Sequence, residues 1–197
     1  MSLDNSIFVI IIVTDLFNNN MNINSQFVVA THIMALLAGH KLYLPEYACA
    51  NSEMIAESVN TNPVVIRRIL SKLRDADLVI SKTGPHGGSE ITRHPSKIKL
   101  SEIYEAVDDE GTLFHMHYGE PNHFCLVGGH IQESLKETME NAEVSVKKVL
   151  SRKSLLQIAN DILERAGITT DQPSEEISKK LRQMKQEYEN SKLELQT

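Results

Sequence analysis

The most reactive side chains of this 197-residue chain crowd one short run. LFHMHYGEPNHFCLVGGH, residues 113–130, holds His115, His117, His123 and His130, four of the eight histidines, together with Cys125, one of two cysteines. His-x-His beside a thiol is chemically able to bind zinc, but this spacing matches no recognised zinc signature, so no metal is expected. Cys125 stands just ahead of a long helical pattern. The positive end of a helix dipole lowers a thiol pKa, and nearby histidines assist, which makes Cys125 a candidate sensor. The competing reading is plain packing at the helix entry. A second run, His86-Gly87-Gly88, resembles the oxyanion-hole stretch of lipases and esterases. Yet the chain has no G-x-S-x-G, H-E-x-x-H or G-x-x-x-x-G-K-[ST], so no catalytic residue and no enzyme activity are expected.

Charge points elsewhere. From Asn60 to Lys99 there are eight positive residues (Arg67, Arg68, Lys72, Arg74, Lys82, Arg93, Lys97, Lys99) and three negative ones (Asp75, Asp77, Glu90). That segment is +5 in a chain of −6, which leaves −11 for the rest. A basic island in an acidic chain is the footprint of a phosphate-binding surface. The elements that must position it are legible. Asn62 is a good N-cap and Pro63 suits the first helical position. Ile66, Ile69, Leu70 and Leu73 share one apolar face, which turns Val64, Arg68, Ser71 and Asp75 outward with Arg67 and Lys72 on the flanks. A shorter helix, capped by Ser52 and burying Ile55, Ala56 and Val59, precedes it across Asn60-Thr61-Asn62. Leu78–Ile80 then reads as a strand, Gly84-Pro85 and Gly87-Gly88 as turns, and Ile91-Thr92 as a second strand. The order is helix-turn-helix plus β-hairpin wing, whose partner is double-stranded DNA. The expected contacts are Thr61, Asn62, Val64, Arg67, Arg68, Ser71 and Lys72, with Lys82, His86 and Arg93 of the wing reaching phosphates.

These residues carry a resemblance. IAESVNTNPVVIRRILSKLRDADLV followed by GPHGGSEITRHPSKIKLSEIYEAV is similar to the DNA-binding domain of the Rrf-two family of bacterial transcriptional regulators. The resemblance spans about Met21 to Leu156, and NHFCLVGGHIQESL points to its YwnA-like branch. It implies a dimeric winged-helix repressor or activator. Repression is the expected sense, with a response to redox or other stress if Cys125 senses. Iron–sulfur members hold their cluster with three closely spaced cysteines before the dimer helix. Only Cys125 stands in that region here, so no cofactor is expected. Two departures touch the wing: Asp77 stands where the family usually has Gly, and Ser89 where an aromatic usually follows the wing glycines.

The remaining chain supplies the frame. Both cysteines lack framework spacing, which fits a reducing cytoplasm. Ile7–Val13 is too short to span a membrane and has no flanks of a secretory signal. Residues 1–20 read either as an upstream extension, with Met21 the original start, or as an added element docked on the body. Ser25–Ala38 reads as an apolar core helix stopped by Gly39, with Leu42–Leu44 extended after it. Ser101–Val107 is a short helix. From Val127 to Leu150, Ile131, Leu135, Met139, Ala142, Val146 and Val149 recur as a near-coiled-coil seam. In the family resembled, the matching helix pairs with its twin, so these six residues are the expected homodimer interface. Ser154 caps a further helix closed by Gly167, with Leu155, Ile158, Ala159, Ile162, Leu163 and Ala166 as its stripe. Residues 174–197 read as a marginal solvated helix or as disordered.

The fold class is therefore mostly α with a small β-hairpin wing. The expected division is 1–20 extension, 21–108 winged helix-turn-helix, 109–126 linker, 127–167 dimerisation helices and 168–197 tail. The competing function is a protein-interaction module with a vestigial DNA-binding head.

Overall fold

The computed structural model describes residues 23–84, 87–108, 119 and 121–194. The expectations for residues 1–20, His86, His115 and His117 lie outside them. Element order is α1 (Ile23–Tyr43), a 3-10 turn (Pro45–Tyr47), α2 (Ser52–Val59), α3 (Pro63–Asp75), β1 (Val79–Lys82) and β2 (Gly88–Ile91). A second 3-10 turn (Pro95–Lys97), α4 (Leu100–Val107), α5 (Ile131–Arg152), α6 (Leu155–Arg165) and α7 (Ser174–Glu194) follow.

α1 is the hub. Ala30, Ile33, Met34, Leu37 and Ala38 are all fully buried, in one core with Ile55, Ile66, Leu73, Ile91, Ile98, Ile103 and Leu155. A helix touching α2, α3, α4, β2, α6 and α7 needs apolar residues on several sides, not on a single stripe. This is why it does not stop at Gly39. It runs one turn further to Tyr43, because the packing gained by its last turn outweighs the cost of about 1 kcal/mol for a helical glycine. Leu42 is accordingly helical, and only Leu44, buried beyond the helix end, leaves the α region.

α2 and α3 are held by their ends. Asn51, not Ser52, caps α2: its side chain accepts from Met54 N at 2.8 Å, and Ser52 is already helical. Asn62 caps α3 through Val64 N at 2.8 Å, with Pro63 at the first position as read from sequence. Both helices end in Schellman turns, in which a left-handed residue lets two backbone N–H groups reach back to orphan carbonyls. At α2 the left-handed residue is Asn60 (φ 57°), with Thr61 N on Ala56 O. At α3 it is Asp77 (φ 54°), with Asp77 N on Arg74 O and Leu78 N on Leu73 O. The family's glycine position is thus a left-handed position, and this chain fills it with aspartate, one of the few residues that tolerate it.

The wing is antiparallel, with Val79 opposite Ile91 and Lys82 opposite Gly88. Ala50 adds a short third rung: Ala50 N donates to Ser89 O (3.1 Å) and Ser89 N to Ala50 O (2.8 Å). A Cβ on Gly88 would lie 2.6 Å from the Ala50 carbonyl, so this approach requires glycine. Buried Ser89 sits at the centre of that rung, and its small side chain takes the place of the family's aromatic. After the wing, Leu100 N donates to Lys153 O and Leu155 N to Ile98 O, stitching the α5–α6 junction to the wing's exit.

α6 starts at Ser154 with a reciprocal cap to Gln157 and ends at Gly167 (φ 76°). Leu155, Ala159 and Leu163 are buried and Ile158 is partly so. Ile162 and Ala166 are exposed, because the buried stripe is narrower than the sequence pattern. The tail resolves as helix α7. Ile177 is buried with Leu163 and Ile168 and Leu181 packs beside them, while Met184 and Tyr188 are exposed.

Replacing Asp77 by Gly removes the left-handed penalty, partly offset by the greater chain entropy of glycine. The expected gain is about 0.5–1 kcal/mol, read as a higher urea midpoint at unchanged slope.

Candidate nucleic-acid interface and sensor loop

The packing of α3 decides what it offers to a ligand. Ile66, Ile69, Leu70 and Leu73 are buried, as their spacing requires. Val64, Arg67 and Arg68 are consequently exposed and Ser71 half-exposed, one turn after another from the helix start. Asn62 is exposed and Thr61 half-exposed at the N-terminal end of the same surface. Arg67 reaches back to Glu53 of α2 at 3.3 Å, a solvated pair that costs little to break. Lys72 turns the other way and donates to Gln26 of α1 at 2.7 Å. Arg74 donates to Ser81 Oγ at 3.0 Å, tying α3 to the wing.

Of the three expected phosphate contacts on the wing, the two among the described residues, Lys82 and Arg93, are already engaged. Lys82 pairs with Glu90 across the hairpin, and Arg93 pairs with Glu102, the residue whose other oxygen accepts from Lys99 N at the start of α4. Glu90 is buried to 8% exposure and also takes Lys41 of α1 at 2.8 Å. Hydrogen bonds from Lys41, then Lys82, hold its carboxyl below the usual glutamate range and outweigh its burial. The partnership with Glu90 raises Lys82 in turn. Cys49, half-buried, donates its thiol toward Glu90 at 3.7 Å. This buried carboxylate at the wing's root escaped sequence reading. Its signal was an acidic residue amid basic ones on a short strand, but the partner from α1 lies 49 positions away.

The loop ahead of α5 is a compact turn. Asn122 Oδ1 accepts from Phe124 N (3.0 Å), Asn122 O from Cys125 N (3.0 Å), and Cys125 O from Gly129 N (2.8 Å). A Cβ on Gly128 would lie 2.6 Å from Asn122 O, which explains the Gly-Gly pair. Cys125 is exposed, and the backbone N–H groups of Gly128 and then Val127 hold its thiol below the ordinary cysteine value. Five turn residues, Leu126–His130, separate it from a helix that starts at Ile131 rather than Val127. Local N–H groups therefore do what the helix dipole was expected to do.

α5 itself has no buried residue over its 22 positions. Of the expected seam, Ile131, Leu135 and Val149 are exposed, and Met139, Ala142 and Val146 are half-buried; the helix also packs on α4. Exposed Phe124, Leu126 and Val127 precede it in sequence.

Residues 23–161 match the family model described as "Rrf2: Iron-dependent Transcriptional regulator". The chain is 40% identical over 140 residues to "Putative HTH-type transcriptional regulator YwnA" of Bacillus subtilis (strain 168), covering 71% of this chain and 98% of that protein. It is 22% identical over 142 residues to "Putative HTH-type transcriptional regulator YffB" of Lactococcus lactis subsp. lactis, covering 72% and 88%. Among solved structures, a crystal structure of a "putative DNA binding protein" superposes with a TM-score of 0.53 at 36% identity, covering 69% of this chain and all of the other. The structure of T. potens IscR superposes with a TM-score of 0.50 at 22% identity, covering 74% and 91%, a likeness of fold.

The iron in the family's description finds no matching donor set. The chain has two cysteines, Cys49 beside Glu90 at the wing's root and Cys125 on the turn before α5. Among the described residues no three His, Cys, Asp or Glu side chains converge on a metal position. An iron–sulfur cluster held by three closely spaced thiolates does not fit these residues. In sequence and in fold, from α1 through most of α6, the chain belongs to the Rrf2 family, and it is a transcriptional regulator, not an enzyme.

Proposed function

We propose that this regulator acts in the cytoplasm as a homodimer that reads operator DNA with the N-terminal half of α3 and represses by occupying it. The observation that carries this reading is the exposed run Asn62, Val64, Arg67 and Arg68, continued by half-exposed Ser71, on a helix whose other face is locked into the core. A recognition helix needs that rigidity to hold side chains against base edges. Arg68 and Ser71 are the base-reading choices; Thr61, Arg67, Lys72, Lys82, His86 and Arg93 serve the backbone. Because Lys82 and Arg93 are paired internally, they contribute to phosphate binding only by sharing their charge with Glu90 and Glu102, and Lys72 contributes only by leaving Gln26. Residues 21–108 are then the reading head, 109–126 the linker and 127–167 the dimerising part. No described helix is long and apolar enough to cross a membrane.

The dimer reading rests on α5. A helix of 22 residues, roughly 33 Å long, that has no fully buried residue in its own subunit and follows exposed Phe124, Leu126 and Val127 calls for a partner surface. Pairing through Ile131, Leu135, Met139, Ala142, Val146 and Val149 supplies it. Two heads then meet half-sites about 10 base pairs apart, or a multiple of that. The exposed Cys125, its thiol held below the ordinary cysteine value within this apolar stretch, supports reading it as the group whose oxidation alters the interface.

Arg68→Glu is expected to weaken operator binding by about 1–3 kcal/mol in footprinting with DNA fragments selected by the wild type; unchanged affinity removes Arg68 from the interface. Glu at both Leu135 and Ala142 should give monomers in sedimentation and abolish operator binding, whereas a wild type that stays monomeric at every concentration contradicts the dimer. Peroxide should release DNA from the wild type but not from Cys125→Ser, and equal responses would exclude the thiol as sensor.

A further inference from the structure

α1, α6 and α7 do not close completely on one another. Between them lies a predominantly apolar cavity of about 620 Å³, walled by residues such as Ala35, Leu36, Ile158, Ile162 and Leu181. That volume falls in the range of small-molecule sites. Its third wall is α7, which lies beyond the matched residues 23–161, so the cavity as closed here belongs to this chain's own extension.

The polar groups in this wall are few, and one of them is an ammonium. Lys185 of α7 is a lining residue, and its ammonium rests 3.4 Å from the centroid of the Tyr47 ring. Glu46, the neighbouring carboxylate, is held by two bonds from Arg182 (2.7 and 3.2 Å). Two further lining residues, Thr31 and His40, have buried side-chain atoms, Oγ1 and Nδ1, with no hydrogen-bond partner. Burial, then the charge of Lys185, pushes His40 below its ordinary value, so its ring is neutral and Lys185 is the cation of the site. An apolar wall with one cation and unsatisfied polar atoms complements an apolar molecule bearing one acidic group.

We propose that this cavity is an effector site for a small apolar monoacid, an acyl or aryl carboxylate whose body fills the space and whose carboxylate meets Lys185. The effect on DNA rests on the function proposed above, and α1 is its carrier. One side of α1 walls the cavity. The same helix packs Ile33, Met34 and Leu37 against the core of α2 and α3, donates Lys41 to the wing (Glu90, and Ile91 O at 2.9 Å) and bonds His32 to Ser58 of α2 at 3.1 Å.

The test uses octanoate and the neutral octanamide, titrated calorimetrically into the full chain without DNA. One saturable octanoate per chain is expected. Lys185→Gln should weaken octanoate about tenfold or more and leave octanamide unchanged, since a charge-assisted hydrogen bond to the carboxylate is lost. Ile162→Trp, at an exposed wall position, should abolish both while leaving the melting temperature within a few degrees. Absence of saturable octanoate binding, or equal binding by wild type and Ile162→Trp, overturns the site. Equal weakening of octanoate and octanamide by Lys185→Gln overturns the acidic head group. Protection of the cavity by a second copy's helix, seen as a disulfide between Ile162→Cys and the partner, also overturns it. Saturating octanoate should shift operator affinity at least about threefold, and no shift rejects the effector role. A wild type that forms no operator complex even without octanoate would instead refute the DNA-binding function, with the titration still deciding the site.

Discussion

Burial of α1 is the constraint on which the remaining structure depends. A helix with Ala30, Ile33, Met34, Leu37 and Ala38 fully out of water must be enclosed by something, and here six elements enclose it. Each buried aliphatic side chain contributes about 1.5–3 kcal/mol, so the elements around α1 are held mainly by what they cover. This enclosure leaves α3 one orientation. Its apolar face meets α1, and its charged face turns outward, where Arg67 pairs with Glu53 and Arg74 with Ser81 at the surface. The basic surface is thus a consequence of the core, with no attraction between basic residues to gather it.

Polar contacts refine that arrangement. Left-handed Asn60 and Asp77 turn the chain sharply at the ends of α2 and α3, and Thr92 Oγ1 donates to Asp77 O at 2.8 Å, joining the second turn to the far end of the wing. Glu90 fixes the wing to α1 through Lys41 while drawing in Lys82. A buried carboxylate with two cations is costly to disrupt and specific in geometry, so it orients the hairpin more than it stabilises the fold. The same pair lowers the positive potential that the wing presents.

α5 stands apart from this economy of enclosure. It packs on α4, yet keeps Ile131, Leu135 and Val149 exposed. Its junction with α6 is nevertheless stitched to the wing's exit by backbone bonds at Ile98–Leu100. A change in the angle of α5 has a short covalent and hydrogen-bonded route to the reading head. The cavity beside α1 offers a second route into the same body.

Much of this was legible along the chain. Local signals settled the ends and faces of α3: an Asn-Pro start, four apolar residues on one face, and a charge island of one sign. They act through backbone and solvent, so they read without knowledge of neighbours. Gly84 was equally plain as a turn, whereas Gly88, read as a turn, opens β2 against Lys82; the family resemblance, to Leu156, covered nearly all of the region that the family model matches. Tertiary structure decided what depends on distant partners. Gly39 stays helical because the last turn of α1 has a wall to pack against. Asn51 supersedes Ser52 as cap because the chain approaches α2 extended from the Ala50 rung. Lys41, Glu90 and Lys82 become one cluster only when α1 meets the hairpin. The tail becomes a helix because Ile177 and Leu181 find the end of α1 and α6, and the cavity they close exists in no single element. Sequence by itself determined the elements whose energetics are local; the contacts among them were decided by burial, which no stretch of chain achieves alone.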